Sequence, residues 1–397
     1  MKVTLERAAL LKSLGHVHRV VERRNTIPIL SNVLLRADPS TGSGMSLLLK
    51  ATDLDLEVIE RLAADVGAAG ATTVPAHILY EIVRKLPDGA QVSLETHGES
   101  GQMQLRSGRS RFNLQALPDS DFPDLATGEP GHAFNLAAGD LKRLIDKTQF
   151  AISIEETRYY LNGIFLHTTD VEGHMMLRAV ATDGHRLARV EIPAPDGAIG
   201  MPGVIVPRKA VSEVQKLIED PGQDVRVEIS AAKARFIFGP STSFDKNSGS
   251  GQAPSASAGQ VVLTSKLIDG TFPDYVRVIP SGNDKRLIVD RAPFAAAVDR
   301  VSTISSERGR AVKLAVADSK LTLSVTNPDS GSATEELDVD YDSAPIDIGF
   351  NARYLLDITE QLDGDTVLFK LADPGSPTLV QDRDGAAALY VLMPMRV

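Results

Sequence analysis

The stretch AVATDGHRLARV, residues 179–190, decides the fold, because it is a hairpin signal that the chain uses more than once. Apolar residues alternate up to Thr182, Asp183 and Gly184 supply turn chemistry, and alternation resumes through Leu187 and Val190. Related pieces stand at residues 51–58 (ATDLDLEV) and 325–337 (VTNPDSGSATEEL). One bend used three times points to three copies of a single folding unit.

Working outward from the bends, each copy opens with alternating apolar residues and then switches to helical spacing: VTLERAALLKSL from Val3, FNLAAGDLKRLI from Phe134 and LIVDRAPFAAAV from Leu287. The apolar stripes are Leu10, Leu14, Val17 and Val21; Leu141, Ile145, Thr148 and Ile152; and Phe294, Val298 and Val301. Pro293 suits a first helical turn, with Asp290 as its candidate cap. A second helix is predicted within residues 73–86, 205–217 and 348–362, stopping at Pro87-Asp88-Gly89, Asp220-Pro221-Gly222 and Asp363-Gly364-Asp365. The step from Leu5 to Leu136 matches that from Pro75 to Pro207 to within one residue. Copy two is longer because residues 240–259, PSTSFDKNSGSGQAPSASAG, read as a flexible insert without periodicity. Junctions are marked by DFPD at 121–124 and TFPDY at 271–275. The expected class is α+β, with three similar domains, each two helices packed on antiparallel sheet.

Composition agrees. A chain of 397 residues exceeds one hydrophobic core, and 43% hydrophobic with 24% charged residues is ordinary globular composition. The absence of a run of 18 or more apolar residues, with a charged start MKVTLERAALLKSLGHV, predicts neither a membrane span nor a secretory signal, hence a cytoplasmic protein. Zero cysteines exclude disulfides, thiolate metal sites and a Cys nucleophile. The net charge of −10 argues, taken alone, against a nucleic-acid partner, but a basic stripe can sit on an acidic body.

Enzyme signatures are missing: there is no GxSxG elbow, no GxxxxGK[ST] phosphate loop and no GxGxxG fingerprint. His16 and His18, two apart, point to different helix faces, so neither a metal nor another cofactor is expected. Asp183 and His185 are imaginable as an acid–base pair, with Ser212 or Ser153 as nucleophile, although turn chemistry accounts for Asp183, and likewise for Asp53 and Asp55. Basic residues collect on the predicted helices: Arg7, Lys12, Arg19, Arg23 and Arg24 in copy one; Lys142, Arg143, Lys147, Arg208, Lys209 and Lys216 in copy two; Arg300, Arg308, Arg310 and Arg353 in copy three. These are either solvated faces or a phosphate-facing surface that binds a duplex without base readout.

Five motifs, in order, carry a resemblance: ERRNTIPILSNVLL from Glu22, TRYYLNGIF from Thr157, ATDGHRLA from Ala181, FPDY from Phe272 and the terminal MPMRV. Together they resemble the bacterial sliding-clamp family, the beta subunit of DNA polymerase III, over the whole chain except the insert. The resemblance implies a DNA clamp fold with domains over 1–127, 128–277 and 278–397, and a head-to-tail homodimer whose six domains close a ring around duplex DNA. It implies no catalysis. The partners implied are duplex DNA without sequence preference, the polymerase III catalytic subunit, the clamp loader and other proteins with a clamp-binding motif. It points to Arg24 and Tyr159 as DNA-contacting, to which the basic pattern adds Arg23, Lys12, Lys142 and Lys209; Glu155 stands where the family often has an uncharged polar residue. The peptide pocket it implies comprises Arg158, Leu161, Thr182, Gly184, His185, Arg186, Leu187, Pro273, Val278, Asn351, Tyr354, Val391, Met393, Pro394, Met395 and Arg396, with Val397 in place of the common terminal Leu. Met393 and Met395 suit a surface that adapts to several ligands. The expected dimer edge sets Arg106, Arg109, Arg111, Phe112 and Leu114 against Thr303, Ile304, Glu335 and Glu336, opposite charge fixing the register. A hydrolase using Asp183 and His185, or a repeat-built interaction protein without a DNA role, are the alternatives.

Overall fold

The computed structural model describes residues 1–23, 25–41, 44–96, 101–125, 129–239, 259–305, 311–383 and 387–397; Arg24, Arg308, Arg310 and residues 240–258 of the insert lie outside them. Every copy has the same element order. Copy one runs β1 (Lys2–Glu6), α1 (Arg7–Val17), β2 (Asn32–Thr41), β3 (Gly44–Thr52), β4 (Leu56–Ala63), β5 (Asp65–Ala68), β6 (Gly70–Pro75), α2 (Ala76–Lys85), β7 (Gln91–Thr96), β8 (Gln102–Ser107) and β9 (Ser110–Gln115). Copy two runs β10 (His132–Ala137), α3 (Ala138–Asp146), β11 (Gly163–Val171), β12 (His174–Thr182), β13 (Arg186–Pro193), β14 (Val204–Pro207), α4 (Arg208–Leu217), β15 (Asp224–Ile229), β16 (Lys233–Phe238) and β17 (Val261–Lys266). Copy three runs β18 (Lys285–Asp290), α5 (Arg291–Ser302), β19 (Ala311–Ala317), β20 (Lys320–Asn327), β21 (Gly331–Asp338), β22 (Ile346–Asn351), α6 (Ala352–Gln361), β23 (Thr366–Leu371), β24 (Thr378–Asp382) and β25 (Ala388–Leu392). Only the short β5 breaks the correspondence.

Among the described residues four antiparallel sheets form, and the two largest do not respect the repeat. One joins β10-β15-β16-β17 of copy two to β4-β3-β2-β6 of copy one through the β17–β4 ladder. Another joins β14-β11-β12-β13 of copy two to β25-β24-β23-β18 of copy three through β13–β25. In both joints the fourth strand of one copy pairs with the last strand of its neighbour. The remaining sheets, β5-β1-β7-β8-β9 and β21-β20-β19-β22, belong to copies one and three alone. Compact units accordingly cut across copy two: one comprises Met1–Lys142, Pro195–Met201 and Lys209–Leu267, the other Arg143–Ala194, Pro202–Arg208 and Ile268–Val397.

The helical stripes bury as the spacing predicts. Leu10, Leu14 and Val17 of α1, Leu141 and Ile145 of α3, and Phe294, Val298 and Val301 of α5 are all buried, each such side chain contributing about 1.5–3 kcal/mol. Val21, Thr148 and Ile152 are buried too, but beyond the helix ends, so the predicted helices run long there. Phe294 meets Phe369 of β23 edge to face at 5.4 Å. Asp290 occupies the residue before α5, yet its side chain makes no capping bond. A capping carboxylate serves the second or third helical N–H, and the third residue of α5 is Pro293, which has none. The first N–H of α1, α3 and α5 is in every copy taken by a carbonyl just after the second helix, Arg7 N to Ala90 O, Ala138 N to Gln223 O and Arg291 N to Asp365 O, each at 2.8 Å. Asn351, by contrast, caps α6 by accepting from Arg353 N at 3.0 Å.

His16 and His18 do face different ways. His18 stacks on Tyr80 at 3.9 Å, whereas His16 binds Glu60 through Nδ1 at 2.8 Å and Glu219 through Nε2 at 3.2 Å. Burial opposes the imidazolium, but the hydrogen bonds and field of the two carboxylates prevail and raise its pKa above the ordinary value. A raised histidine stabilises the fold fully below its unfolded-state value of about 6.5 and loses that contribution as pH rises through the folded-state value. Thermal melts are therefore expected to show wild type losing stability from about pH 6.5 upward relative to His16→Gln. Parallel melting curves across that window would contradict the linkage.

Candidate functional site

The bend that opens the reading is built by its own side chains. Thr182 Oγ1 accepts from Gly184 N at 3.1 Å, and Asp183 Oδ1 accepts from His185 N at 2.9 Å and Arg186 N at 3.0 Å. Copy one repeats the network atom for atom: Thr52 Oγ1 accepts from Leu54 N at 3.0 Å, and Asp53 Oδ1 accepts from Asp55 N at 2.9 Å and Leu56 N at 2.7 Å. Both bends need a left-handed residue at the same place, Leu54 at φ +79° and Gly184 at φ +88°.

What copy two adds is the space above Gly184. A Cβ there would stand 2.5 Å from a guanidinium nitrogen of Arg158, so glycine lets Arg158 lie on the turn. Glu155 fixes that arginine, accepting from Nε at 2.9 Å and Nη2 at 2.5 Å, and the pair holds the Glu155 carboxyl below its ordinary range. Leu54 shows that the bend itself tolerates a side chain. Gly184→Ala is thus expected to cost about 1 kcal/mol of fold stability, while displacing Arg158 and weakening whatever the pocket binds. Unchanged partner affinity in the folded variant would contradict this placement.

Arg186 is the hub. Its Nε donates to Asp183 Oδ2 at 3.1 Å, Nη1 to Asp357 Oδ2 of α6 at 2.5 Å, and Nη2 to Phe150 O at 2.6 Å. The guanidinium lies 4.2 Å from the Tyr354 ring centroid and 5.1 Å from that of Phe150. Burial raises the Tyr354 pKa, which keeps the phenol neutral under the cation. The terminal segment is tied down beside it: Met393 N donates to His185 O at 2.9 Å and Met395 N to Gly349 O at 2.8 Å. A Cβ on Gly349 would meet Val397 Cγ1 at 2.3 Å, so the tail lies flush on β22. Beneath the turn, Leu161, Leu187 and Val391 join one buried apolar cluster with Val180, Ile205, Phe272, Tyr275, Leu379 and Leu389. Met393, at 40% exposure, and Val278, at 48%, stay on the surface, as do Pro273 and Arg396. Pro394 and Met395 are half-buried. Asp357, Phe150 and Leu379 are the contributors that sequence reading missed; a carboxylate three residues after Tyr354 was the available hint.

The DNA-facing candidates are less uniform. Arg23 is exposed, and Tyr159 is 53% exposed with its ring edge-on to Tyr160. Arg24 lies outside the described residues. Lys142, on α3, is half-buried. Lys12 pairs with Glu219 at 2.6 Å, while Lys209 is held between Asp53, at 2.5 Å, and Glu22. Lys147, grouped with the basic faces on sequence, lies just past the end of α3, where it is buried and paired with Asp363 at 2.5 Å.

Two strand edges carry the interface candidates. Arg111 and Phe112 lie on β9 and Arg109 in the turn before it, with Arg106 exposed on β8. Leu114 is turned into its own core and offers this edge only backbone. A cleft of about 540 Å³ between α2 and β9 is lined by Ile78, Ile82, Leu86 and Phe112 among others. On β21, Glu335 is gripped by Arg300 of α5 at 2.5 and 3.0 Å, and Glu336 stands 3.6 Å from Lys320. Thr303 is exposed and Ile304 half-buried at the end of α5.

A threefold β-α-β-β-β-β-α-β-β-β repeat, with last strand zipped to fourth strand between neighbouring copies, is the α+β three-domain clamp fold. Family models agree along the chain: the DNA polymerase III beta subunit N-terminal domain matches residues 1–126, the central domain 135–274 and the C-terminal domain 276–396. The chain is 53% identical over its full length to the whole beta sliding clamp of Caulobacter vibrioides, and 39% identical to that of Escherichia coli, again with 100% of both chains covered. A DNA polymerase III subunit beta sliding clamp from Bartonella birtlesii, solved bound to griselimycin, superposes with a TM-score of 0.90 at 54% identity, covering both chains completely. The chain belongs to the DNA polymerase III beta subunit family and is a DNA sliding clamp.

Proposed function

We propose that two chains, each of three clamp domains over 1–127, 128–277 and 278–397, join head to tail into a closed ring. The observation that carries this is the strand correspondence. Within the chain, β17 of copy two pairs with β4 of copy one, and β25 of copy three pairs with β13 of copy two. Their equivalents β9 and β21 are sheet edges. Pairing β9 of one chain with β21 of another repeats the internal joint, and doing so twice closes the assembly and removes both edges. Arginines on one edge and Glu335 and Glu336 on the other give the contact its polarity, with the apolar cleft around Ile78 and Phe112 beside it.

The ring encloses duplex DNA and tethers the polymerase III catalytic subunit, making synthesis processive; the clamp loader and other proteins with a clamp-binding motif use the pocket at Thr182–Leu187 and the terminal segment. Contact with DNA is shallow and independent of sequence, through Arg23, Arg24, Tyr159 and Lys142, with Lys12 and Lys209 joining only by giving up their carboxylates. The assembly is cytoplasmic and non-catalytic. Asp183 supports the last point, since its Oδ1 serves two turn N–H groups and its Oδ2 serves Arg186, so both oxygens are engaged in holding the bend. No helix among the described residues is long and apolar enough to cross a membrane. Sedimentation equilibrium tests the ring: a mass near twice the 42.5 kDa chain is expected, and a monomer at micromolar concentration would overturn it.

A further inference from the structure

The outer row of the partner pocket contains one residue that does not belong to an apolar floor. Across five adjacent strands the directly paired residues are Ile205, Phe165, Val180, Arg189 and Leu389, all on one face of the sheet. Ile205, Val180 and Leu389 belong to the buried apolar cluster and Phe165 packs against it, so Arg189 interrupts a hydrophobic row. It follows Leu187 on β13 with one residue between, and so extends the pocket floor along that strand.

The neighbouring charges do not complete it. Glu191, next on the same face, is taken by Arg178, whose Nε and Nη2 donate to Oε2 at 2.7 and 2.6 Å. Arg178 also donates to Tyr275 OH at 3.0 Å, and His167 Nε2 reaches the same oxygen at 2.9 Å. Among the described residues no hydrogen bond or ion pair reaches the Arg189 side chain, and its Nε is buried without a partner. A half-buried guanidinium with a dry, unmatched N–H is a cost the folded chain carries, and a carboxylate brought from outside relieves it through a charge-assisted bond.

We propose that Arg189 is a specificity-determining residue that selects partner peptides bearing an Asp or Glu side chain beside their apolar anchors. The anchors fill the cluster around Leu187 and Val391, and the acidic side chain meets Arg189. This rests on the peptide-pocket reading, and adds to it a charge preference that an apolar floor alone does not have.

The test uses the full-length dimer and acetylated heptapeptides with Leu and Phe anchors, a single Glu placed at each other position in turn, against a matching Gln series. Competition binding at low salt is expected to show one position where Glu exceeds Gln by about tenfold, with the advantage shrinking as salt rises. In Arg189→Gln that ratio falls to about one, and Arg189→Lys recovers part of it. No position with a Glu advantage, or an advantage that survives Arg189→Gln in a variant that melts like wild type, overturns the inference while leaving the pocket standing. Failure of both series to bind wild type at all overturns the pocket reading and this inference together.

Discussion

Replacing both Arg109 and Arg111 with glutamate is expected to turn the dimer into monomers. These side chains border the free edge β9, whose counterparts in the other copies are paired, and the proposed opposing edge carries Glu335 and Glu336. Reversal converts two attractions into like-charge contacts across an interface that must also zip backbone to backbone. A loss of about 3–5 kcal/mol, or roughly a few-hundred-fold or more in dimer affinity, follows from the usual size of close interfacial charge pairs. Sedimentation velocity at micromolar concentration reads it directly; an unchanged dimer removes β9 from the interface. Rescue by reversing Glu335 as well is expected to be incomplete, because Arg300 of the same chain grips that carboxylate and would face a new positive charge.

Deleting residues 393–397 is expected to abolish binding of clamp-binding peptides, with at least about a hundredfold loss, while the dimer persists. The segment follows the last strand, so removing it leaves every rung of the β13–β25 ladder in place. It does remove the bonds from Met393 N to His185 O and Met395 N to Gly349 O, and with them the wall that faces the turn. A truncated protein that keeps its affinity in fluorescence polarisation, at unchanged mass, would refute the pocket.

Local features were the legible ones. Alternation, a Thr-Asp bend and Pro, Asp and Gly stops depend on a few neighbouring residues, and they located the hairpins and the six α-helices among the described residues. Partnerships across long sequence separations were not legible. Nothing near Arg186 announces Asp357, Lys147 looks like another helix-face lysine until Asp363 is placed beside it, and Lys209 looks free until Asp53 and Glu22 close on it. The expected cap at Asp290 fails for a local reason instead, since the third residue of α5 is Pro293, which has no N–H for a capping carboxylate to accept. Repeat edges were also invisible: that β17 finds β4, and β25 finds β13, is a matter of register between copies that periodicity does not encode. The bend at 182–187 shows the division well. Its backbone network is common to copies one and two and was readable as turn chemistry, while the proposed pocket wall rests on Gly184, Arg158 and Arg186, which stand at the copy-two bend.

In the proposed ring the chain holds DNA by enclosing it, not by gripping it. Protein loaded by its clamp loader onto a nicked circular duplex and separated from free protein tests this when the circle is cut once at a distant site. The ring predicts retention on the circle and release from the ends within minutes of cutting, at a salt concentration that leaves the uncut complex intact. Protein that stays bound after the circle is opened would contradict it.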